Sequence, residues 1–313
     1  MIKMIGFLGI SKNYYNWPQG IEQLGDSYTR IDEFDPNALY EADCFYQTNM
    51  VKPKFLHGDR LDREGAKYLY IKNSGKPVLV SESAPFRKYG GYLRFGWNSY
   101  MWTDANCNND NVGPQRWKKF EKKTGITFVD WHSPGDNILI MGQKEGDSAL
   151  VPLFDEGKVF YDWVIETILE IRKYSDRPIV FRPHPRTAIR GIKKLTRLIE
   201  DKKLVNVRLS DNISYGGNQG GVGLDADLDS AYCVITFNSL SGIEAVEKGI
   251  PVFALNNGSM VYPIAHTDLS EIENLNYSID LQPWKNKIAY TIWNKKEVSN
   301  GECWAHLKPV YFS

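Results

Sequence analysis

The sequence predicts an α/β protein made of two parallel-sheet domains and a short helical tail. Apolar segments of strand length alternate with segments in which apolar residues recur every three or four positions, as in strands joined by helices. A turn-rich stretch, HSPGDN at 132–137, interrupts this alternation near the middle. The 313 residues are 42% apolar, enough for two cores. We therefore expect domains at 1–135 and 136–280, followed by helices from 281 to 313.

The first domain has the less regular pattern of the two. A helix is predicted at 62–72 and an Asn/Asp-rich loop at 106–113. Strands are predicted from apolar and β-branched runs at 5–10, 44–49 and 77–82, and the run at 126–131 is apolar again.

The second domain alternates more cleanly. Helices are predicted at 161–171, 189–198 and 241–248, and strands at 137–143, 178–182, 205–209, 233–237 and 251–255. This recurrence favours a parallel sheet covered by helices on both faces. In such sheets ligands bind beyond the carboxyl ends of the strands, so the loops there are the candidate sites, in a cleft between the two domains.

Charge and cysteine content narrow the class of protein. Lys+Arg and Asp+Glu number 38 each, so no overall field draws the chain to nucleic acid or an anionic membrane. No segment approaches the roughly 18 apolar residues of a membrane span, and the N-terminal apolar run is short for a signal peptide. We expect a soluble, cytoplasmic protein. The four cysteines form no C-x-x-C pair, which favours buried thiols over a disulfide framework or a zinc site.

The stretch IVFRPHPR at 179–186 places a histidine between two prolines at the end of a predicted strand. Pro183 disfavours helix before His184, and Pro185 fixes the entry into the next helix. This arrangement aims the imidazole at the cleft and at a helix N-terminus, where a phosphate would be stabilised. A histidine that only caps the turn is an equal alternative.

The loop after the strand CVITF is the second candidate. Asn238, Ser239 and Ser241 are favourable N-cap residues, so backbone N–H groups and hydroxyls are available there for a phosphate. Glu244 follows in the first turns, where its carboxylate could accept from ribose hydroxyls or simply interact with the helix dipole.

Two further loops carry weaker signals. Gln143, Asp147 and Ser148 follow the first strand of the second domain and could line the floor of the cleft or form a plain turn. Glu82 ends the strand PVLVSE of the first domain, where a carboxylate could act as a general base on an acceptor hydroxyl or remain an ordinary solvated side chain.

Three segments, ILIMGQKEGDS, IVFRPHP and SLSGIEAVEKGIPVF, together resemble the capsule-polysaccharide glycosyltransferases. These bacterial enzymes are related to Kdo- and sialic-acid-transferring proteins and have two facing Rossmann-like domains, the GT-B architecture. The resemblance implies that His184, Pro185, Asn238, Ser239 and Ser241 hold the phosphate of a nucleotide-sugar donor.

In that family a Glu-Asp-Gly-Phe segment supplies the catalytic base. Here VSESAPFR stands in its place, with Glu82 retained and Ser83 where the aspartate would be. The resemblance therefore implies Glu82 as the base, with Asp59 and Asp104 in reserve. It also implies inversion at the anomeric carbon with a UDP- or CMP-sugar. No Asp-x-Asp pair stands in a metal-binding setting, so we expect no metal.

The tail LQPWKNKIAYTIWNKKEVSNGECWAHLKP predicts two short helices anchored by Trp284, Trp293 and Trp304, and it resembles the C-terminal signature of bacteriophage glycosyltransferases. In the GT-B architecture such a tail crosses back onto the first domain, so the resemblance implies this course for 281–313. An extra pair of helices on the second domain is the alternative. The likeness to bacteriophage enzymes makes hydroxymethylated pyrimidine in phage DNA, modified in the host cytoplasm, the first acceptor to consider, with surface polysaccharide as the rival.

Local composition also allows a DNA acceptor. Aromatic side chains at Trp97, Tyr100 and Trp102 follow the predicted base, and basic residues cluster in the second domain, at Arg186, Arg190, Lys193, Lys194 and Arg197. Such a surface could receive a DNA strand with a flipped base, although a charge run is commonly a solvated helix face.

Alternatives of another class are a nucleotide-sugar epimerase, which would act without acceptor, and a non-catalytic sugar-binding protein, which would tolerate loss of the base. The glycine-rich run at 216–223 lacks the Gly-Lys-Ser/Thr ending of a P-loop, which favours a flap near the donor over an ATP site. The sequence gives no oligomeric state.

Overall fold

The computed structural model describes residues 1–7, 17–31, 36–48, 70–186, 189–213 and 223–313. The chain divides into two compact units, residues 1–125 with 282–313, and residues 126–281. Each unit is an α/β structure organised on a mainly or wholly parallel sheet.

The first unit is built around strands whose apolar residues lie in its core. β1 to β4 pair in parallel, and β5 runs antiparallel to β4. In chain order the described elements are β1 (Lys3–Phe7), α1 (Trp17–Glu22), β2 (Ser27–Ile31), α2 (Pro36–Tyr40), β3 (Cys44–Thr48), β4 (Val78–Ser83), β5 (Tyr92–Trp97) and α3 (Gln115–Thr124).

The second unit is a parallel sheet of five described strands with the order β10-β9-β6-β7-β8. Its elements are β6 (Asn137–Met141), α4 (Val151–Asp155), α5 (Phe160–Ile171), β7 (Ile179–Arg182), α6 (Ile189–Asp201), β8 (Val207–Leu209), α7 (Leu224–Asp229), β9 (Ala231–Thr236), α8 (Ser241–Glu247) and β10 (Val252–Ala254). Tyr161, Val164, Ile168 and Ile171 recur at helical spacing and are all buried, so α5 packs on the sheet as its pattern predicts.

The C-terminal segment belongs to the first unit. It consists of α9 (Gln282–Ala289), β11 (Ile292–Asn294), α10 (Lys295–Ser299) and α11 (Glu302–Leu307). β11 pairs antiparallel with β5, which gives the described sheet the order β11-β5-β4-β3-β1-β2. The predicted anchors Trp284, Trp293 and Trp304 are buried, which confirms their packing role.

Arg116, whose side chain is only 11% exposed, fixes this segment to α3. The Arg116 guanidinium donates to both Glu297 oxygens at 3.1 and 2.8 Å and to the carbonyls of Ala289 and Ile292, each at 2.6 Å. It also lies 3.6 Å from the Trp293 ring centroid. Burial alone would raise the pKa of Glu297, but the Arg116 bonds and charge outweigh it, so the pKa is lowered.

Asp26 makes a second polar attachment. Its carboxylate accepts from Trp304 Nε1 at 2.8 Å, Lys308 Nζ at 2.7 Å and the Ile2 amide at 2.7 Å. Burial acts to raise the pKa of Asp26, yet these donors together lower it. The carboxylate is therefore held ionised where α11 meets β1 and β2.

The structure departs from the sequence analysis in several places. The apolar run at 126–131 forms no strand, because Val129 and His132 donate their amides to the carbonyls of Glu247 and Gly249 at the end of α8. The tail contains a strand and three helices instead of two helices alone. The strands β2 and β5 and the helix α3 were not predicted. Most of the predicted helix at 62–72 and part of the strand at 5–10 lie outside the described residues.

Two sequence predictions about residue environment can be compared directly. All four cysteines are buried free thiols, as expected. Across the part of the chain that the structure describes, helices long and apolar enough to traverse a bilayer are absent.

Candidate functional site

The strand order of the second unit locates its ligand-binding edge. From β6, the chain builds the sheet toward β7 and β8 on one side and then toward β9 and β10 on the other. The order therefore reverses between β6 and β9, and ligands of open parallel sheets bind beyond the carboxyl ends of the strands at such a point. The loops that follow β6, β7 and β9 are the three that carry the sequence motifs.

A reciprocal amide pair joins the β6 and β9 loops across this point. Gln143 Nε2 donates to Asn238 Oδ1 at 2.7 Å, and the Asn238 amide N–H donates to Gln143 Oε1 at 3.0 Å. Asn238 Nδ2 donates to the Ala149 carbonyl at 2.7 Å and to Asn256 Oδ1 at 3.1 Å. Both Gln143 and Asn238 are buried. These two predicted binding residues therefore hold the loops together.

The β7 loop packs directly on Gly142, which the sequence reasoning missed. The Gly142 N–H donates to the Arg182 carbonyl at 2.7 Å. A Cβ at position 142 would lie 2.6 Å from that oxygen and 2.9 Å from both Pro183 Cα and the His184 nitrogen. Only glycine permits this approach, so Gly142, the residue directly after β6, sets the position of the histidine loop.

His184 is half-buried, and a backbone amide contacts its ring. The Arg186 N–H donates to Nδ1 at 3.0 Å. Because Nδ1 accepts, the neutral imidazole carries its proton on Nε2, which can donate to an anion. Pro185 is half-buried beside it.

The serines after β9 form a hydroxyl pair at the start of α8. Ser239 Oγ and Ser241 Oγ lie 2.8 Å apart, and the Ser239 N–H donates to Thr236 Oγ1 at 2.8 Å. Both serines are half-buried, while Glu244 in the first turn of α8 is exposed. The serines thus form a polar group at the binding edge.

The other residues of the β6 loop have local roles. Asp147 caps the short 3-10 turn at 148–150, because its Oδ1 accepts from the Ala149 N–H at 3.1 Å. Ser148 is buried in that turn. Through the Ala149 carbonyl, the turn is attached to Asn238.

A buried ion pair lies directly beneath the histidine loop and was also missed. Arg182, the last residue of β7, donates to Asp227 Oδ2 in α7 at 2.5 Å. Ser210 Oγ and Asn212 Nδ2 donate to the same carboxylate at 2.6 and 2.9 Å. The sequence signal was an arginine ending the otherwise apolar strand IVFR.

In the first unit, Glu82 is half-buried near the carboxyl end of β4. Its Oε1 accepts from the Ser83 N–H at 2.6 Å, which fixes the carboxylate against its own backbone. It stands opposite Arg94 in the antiparallel register with β5. The following turn contains Phe86 in a left-handed conformation with φ 63°, its ring packed 5.5 Å from that of Phe120. Such strain persists only where packing enforces it.

Two aromatic residues that the sequence suggested for acceptor binding are core residues. Trp97 is fully buried, with Nε1 donating to the Leu307 carbonyl at 2.8 Å, and Tyr100 is buried against the Arg94 guanidinium at 4.2 Å. Trp102 is half-buried and Asp104 is exposed, while Asp59 lies outside the described residues.

The basic residues of the sequence prediction lie on and just before α6. Arg186, Lys193, Lys194 and Arg197 are exposed. The Arg190 side chain and all of the glycine-rich run but Gly223 lie outside the described residues. Within the described ranges, His, Cys, Asp and Glu residues form no group of three that could hold a metal ion.

At the level of sequence, no protein-family model matches the chain and no curated protein is detectably similar to it. Among solved structures, the Thermosulfurimonas dismutans KpsC beta Kdo 2,4 transferase matches with 14% identity and a TM-score of 0.50, over 95% of this chain and 96% of that chain. The beta Kdo 2,7 transferase of the same organism's KpsC matches with 13% identity and a TM-score of 0.47, over 92% and 89%.

A UDP-GlcNAc 2-epimerase of Methanocaldococcus jannaschii is also similar, with 12% identity and a TM-score of 0.36, over 98% of this chain and 100% of that chain. At these identities the likeness concerns the fold, and the 2,4 transferase carries the comparison. The predicted fold class, an α/β chain of two Rossmann-like domains of the GT-B kind, is confirmed.

Proposed function

We propose that this chain is a glycosyltransferase that binds a nucleotide sugar at the carboxyl edge of its second unit. The observation that carries the proposal is the Gln143–Asn238 amide pair, which joins two of the three motif loops at the reversal of strand order. The third loop, with His184, packs on Gly142 beside it. Half-buried hydroxyls and an imidazole are thereby collected where an α/β sheet binds nucleotides.

The proposed chemistry follows from the donors at this edge. His184 Nε2 and the hydroxyls of Ser239 and Ser241 stabilise the negative charge of the departing nucleotide phosphate. Glu82, in the first unit, takes the proton of the acceptor hydroxyl as it attacks the anomeric carbon, with inversion. In this mechanism Gln143 and Asn238 hold the loops in place, and Asp147 and Ser148 shape the turn beneath them. Glu244 is the proposed partner of the ribose hydroxyls.

The acceptor we propose is a saccharide of a surface polysaccharide. The solved structure that carries the fold comparison is described as a Kdo transferase, which supports a saccharide acceptor. Transfer to a hydroxymethylated pyrimidine of DNA remains a prediction. It depends on the exposed cations of α6, because Trp97 and Tyr100 are buried. A basic helix face alone supplies sequence-independent attraction to phosphates.

Calorimetric titration with UDP and CMP tests the donor site. We expect one of them to bind, and we expect His184→Ala to lower turnover by about 100- to 1,000-fold, the effect of losing one donor to a developing anion. The assignment of the base is tested with Glu82→Gln, which should abolish transfer but leave nucleotide affinity unchanged. Wild-type turnover in the His184 variant would refute the assignment of the imidazole.

Mass spectrometry of acceptors separates the remaining alternatives. The purified chain is incubated with UDP- or CMP-sugars and either polysaccharide fragments or hydroxymethylcytosine DNA. A mass gain on the saccharide supports the proposal, and a gain on DNA alone replaces its acceptor. An epimer has the same mass as its donor, so the nucleotide sugar is also followed by proton NMR, and its conversion to an epimer without any acceptor would instead identify an epimerase.

A further inference from the structure

The Arg182–Asp227 ion pair is buried beneath the histidine loop, and a contribution to the stability of the sheet does not explain it. Arg182 and Asp227 are 4% and 3% exposed. The desolvation cost of a buried ion pair offsets most of its attraction, so such a pair adds little stability compared with apolar packing. The additional hydrogen bonds from Ser210 and Asn212 satisfy the Asp227 carboxylate. They do not by themselves explain why an ion pair lies at this position.

The network connects three segments at the carboxyl edge of the sheet. Arg182 ends β7, Ser210 and Asn212 follow β8, and Asp227 lies in α7. Arg182 Nη1 also donates to the Asn212 carbonyl at 2.9 Å. The arginine side chain is therefore fixed at both its ion pair and its neighbouring loop.

The main chain of Arg182 is fixed as well. Its carbonyl accepts the Gly142 N–H at 2.7 Å, so Arg182 is held by the β6 loop through its backbone and by α7 through its side chain. Only Pro183 separates it from His184. Because the proline ring fixes φ near −65°, Pro183 has only ψ with which to absorb a rotation at Arg182, which favours its transmission to the imidazole.

We propose that Arg182 and Asp227 are positioning residues that set the orientation of the His184 loop for nucleotide binding. The inference rests on the proposed function for its ligand, but the loop orientation itself can be observed without one. The ion pair acts through His184 and does not contact the nucleotide.

The opposite end of the same strand offers a matched control. Arg177, two residues before β7, donates to both oxygens of Glu273 at 3.1 Å and lies 3.6 Å from the Tyr232 ring centroid. This pair precedes the amino end of β7 and is more exposed than the Arg182–Asp227 pair, with side chains 28% and 38% accessible. Arg177→Gln should lower stability without altering the His184 loop.

The first measurement uses nitrogen NMR of histidine-labelled protein, in which the His184 signals are assigned by their loss in His184→Gln among the five histidines. We expect Asp227→Asn to shift the His184 Nδ1 resonance, because the Arg186 N–H bond to it is disturbed, whereas Arg177→Gln leaves it in place. Ser210→Ala, which retains the ion pair, gives a smaller shift and serves if Asp227→Asn does not fold. An unchanged resonance in a folded Asp227→Asn or Ser210→Ala protein overturns the inference.

The second measurement is a double-mutant cycle on UDP or CMP affinity. We expect Asp227→Asn to weaken binding by about 10-fold in the wild-type background and by less than about 2-fold in His184→Gln, as for residues coupled in one network. Equal losses in both backgrounds overturn a role through His184. If wild type binds neither nucleotide while the His184 resonance still moves in Asp227→Asn, the proposed function fails and the positioning inference stands.

Discussion

Replacing Asn238 by alanine should loosen the candidate site measurably without unfolding the chain. The side chain accepts from Gln143 and donates to the Ala149 carbonyl and to Asn256, at 2.7, 2.7 and 3.1 Å. Each such bond contributes about 0.5–1.5 kcal/mol, and partners left buried without a bond add to the cost. We therefore expect a loss of about 3 kcal/mol in the local opening free energy of the β6 and β9 loops.

Hydrogen exchange measures this change where it occurs. The amide of Asn238 donates to Gln143, and the amide of Gly142 donates to the Arg182 carbonyl, so both report on opening of the loops. A loss of about 3 kcal/mol corresponds to a fall in protection of roughly 100-fold. Ser239→Ala is the matched control, because it removes a half-buried hydroxyl whose side-chain partner is Ser241 and should change protection by less than about 5-fold.

Asn238→Asp separates hydrogen bonding from space filling. The carboxylate has nearly the same shape and keeps an acceptor for Gln143, but it faces the Ala149 carbonyl and Asn256 Oδ1 with oxygen in place of the donating Nδ2. We expect a loss at least as large as in the alanine variant. Protection within about 3-fold of wild type in both variants would refute the claim that the amide pair holds the loops.

Three further outcomes are expected. Gly142→Ala should lower nucleotide affinity and thermal stability together, because its Cβ would lie 2.6 Å from a backbone carbonyl of β7; unchanged calorimetric affinity would contradict this. Asp26→Asn should destabilise the first unit above about pH 4, and since the folded pKa of Asp26 is lowered, the difference in urea stability from wild type should shrink as pH falls through that pKa. Glu297→Gln should cost about 3 kcal/mol by leaving the mostly buried Arg116 beside a neutral partner, whereas Lys119→Gln, at an exposed cation 3.5 Å from Glu297, should cost less than about 1 kcal/mol. Equal losses in urea unfolding would show that the Arg116–Glu297 pair has no special role.

The sequence predicted the second unit better than the first for a physical reason. Strands β6, β7 and β9 are short apolar runs between amphipathic helices, and a strand buried on both faces has this pattern. In the first unit, β11 has only three residues and pairs with β5, with Trp293 opposite Leu93. No local pattern reports a pairing between residues so distant in sequence. The apolar run at 126–131 could not be assigned from the sequence, because periodicity does not distinguish a buried strand from an extended segment that caps a helix end.

The residues of the candidate site also differ in how far the sequence predicted them. His184 and Asn238 could be placed at the carboxyl edge of the sheet from the sequence, because each lies two residues after a buried strand. Arg182 and Asp227 were missed because their contact depends on which strands become neighbours. β7 lies beside β8, and the helix that carries Asp227 follows only after a further segment. Sequence position alone gives no sign of that proximity.

The burial of the motif residues implies a division of roles that the resemblance alone does not give. Polar loops meeting at a sheet edge bring backbone amides and carbonyls out of water, and these groups must find partners. Gln143 and Asn238 meet this need for the β6 and β9 loops, and both are buried. The half-buried His184, Ser239 and Ser241 are the groups with accessible surface for a phosphate. Changing Ser239 and Ser241 together to alanine should therefore weaken nucleotide binding at nearly constant stability, whereas changing Asn238 should weaken both. Calorimetric titration and thermal unfolding of the same two variants distinguish this division from one in which every motif residue binds the ligand directly.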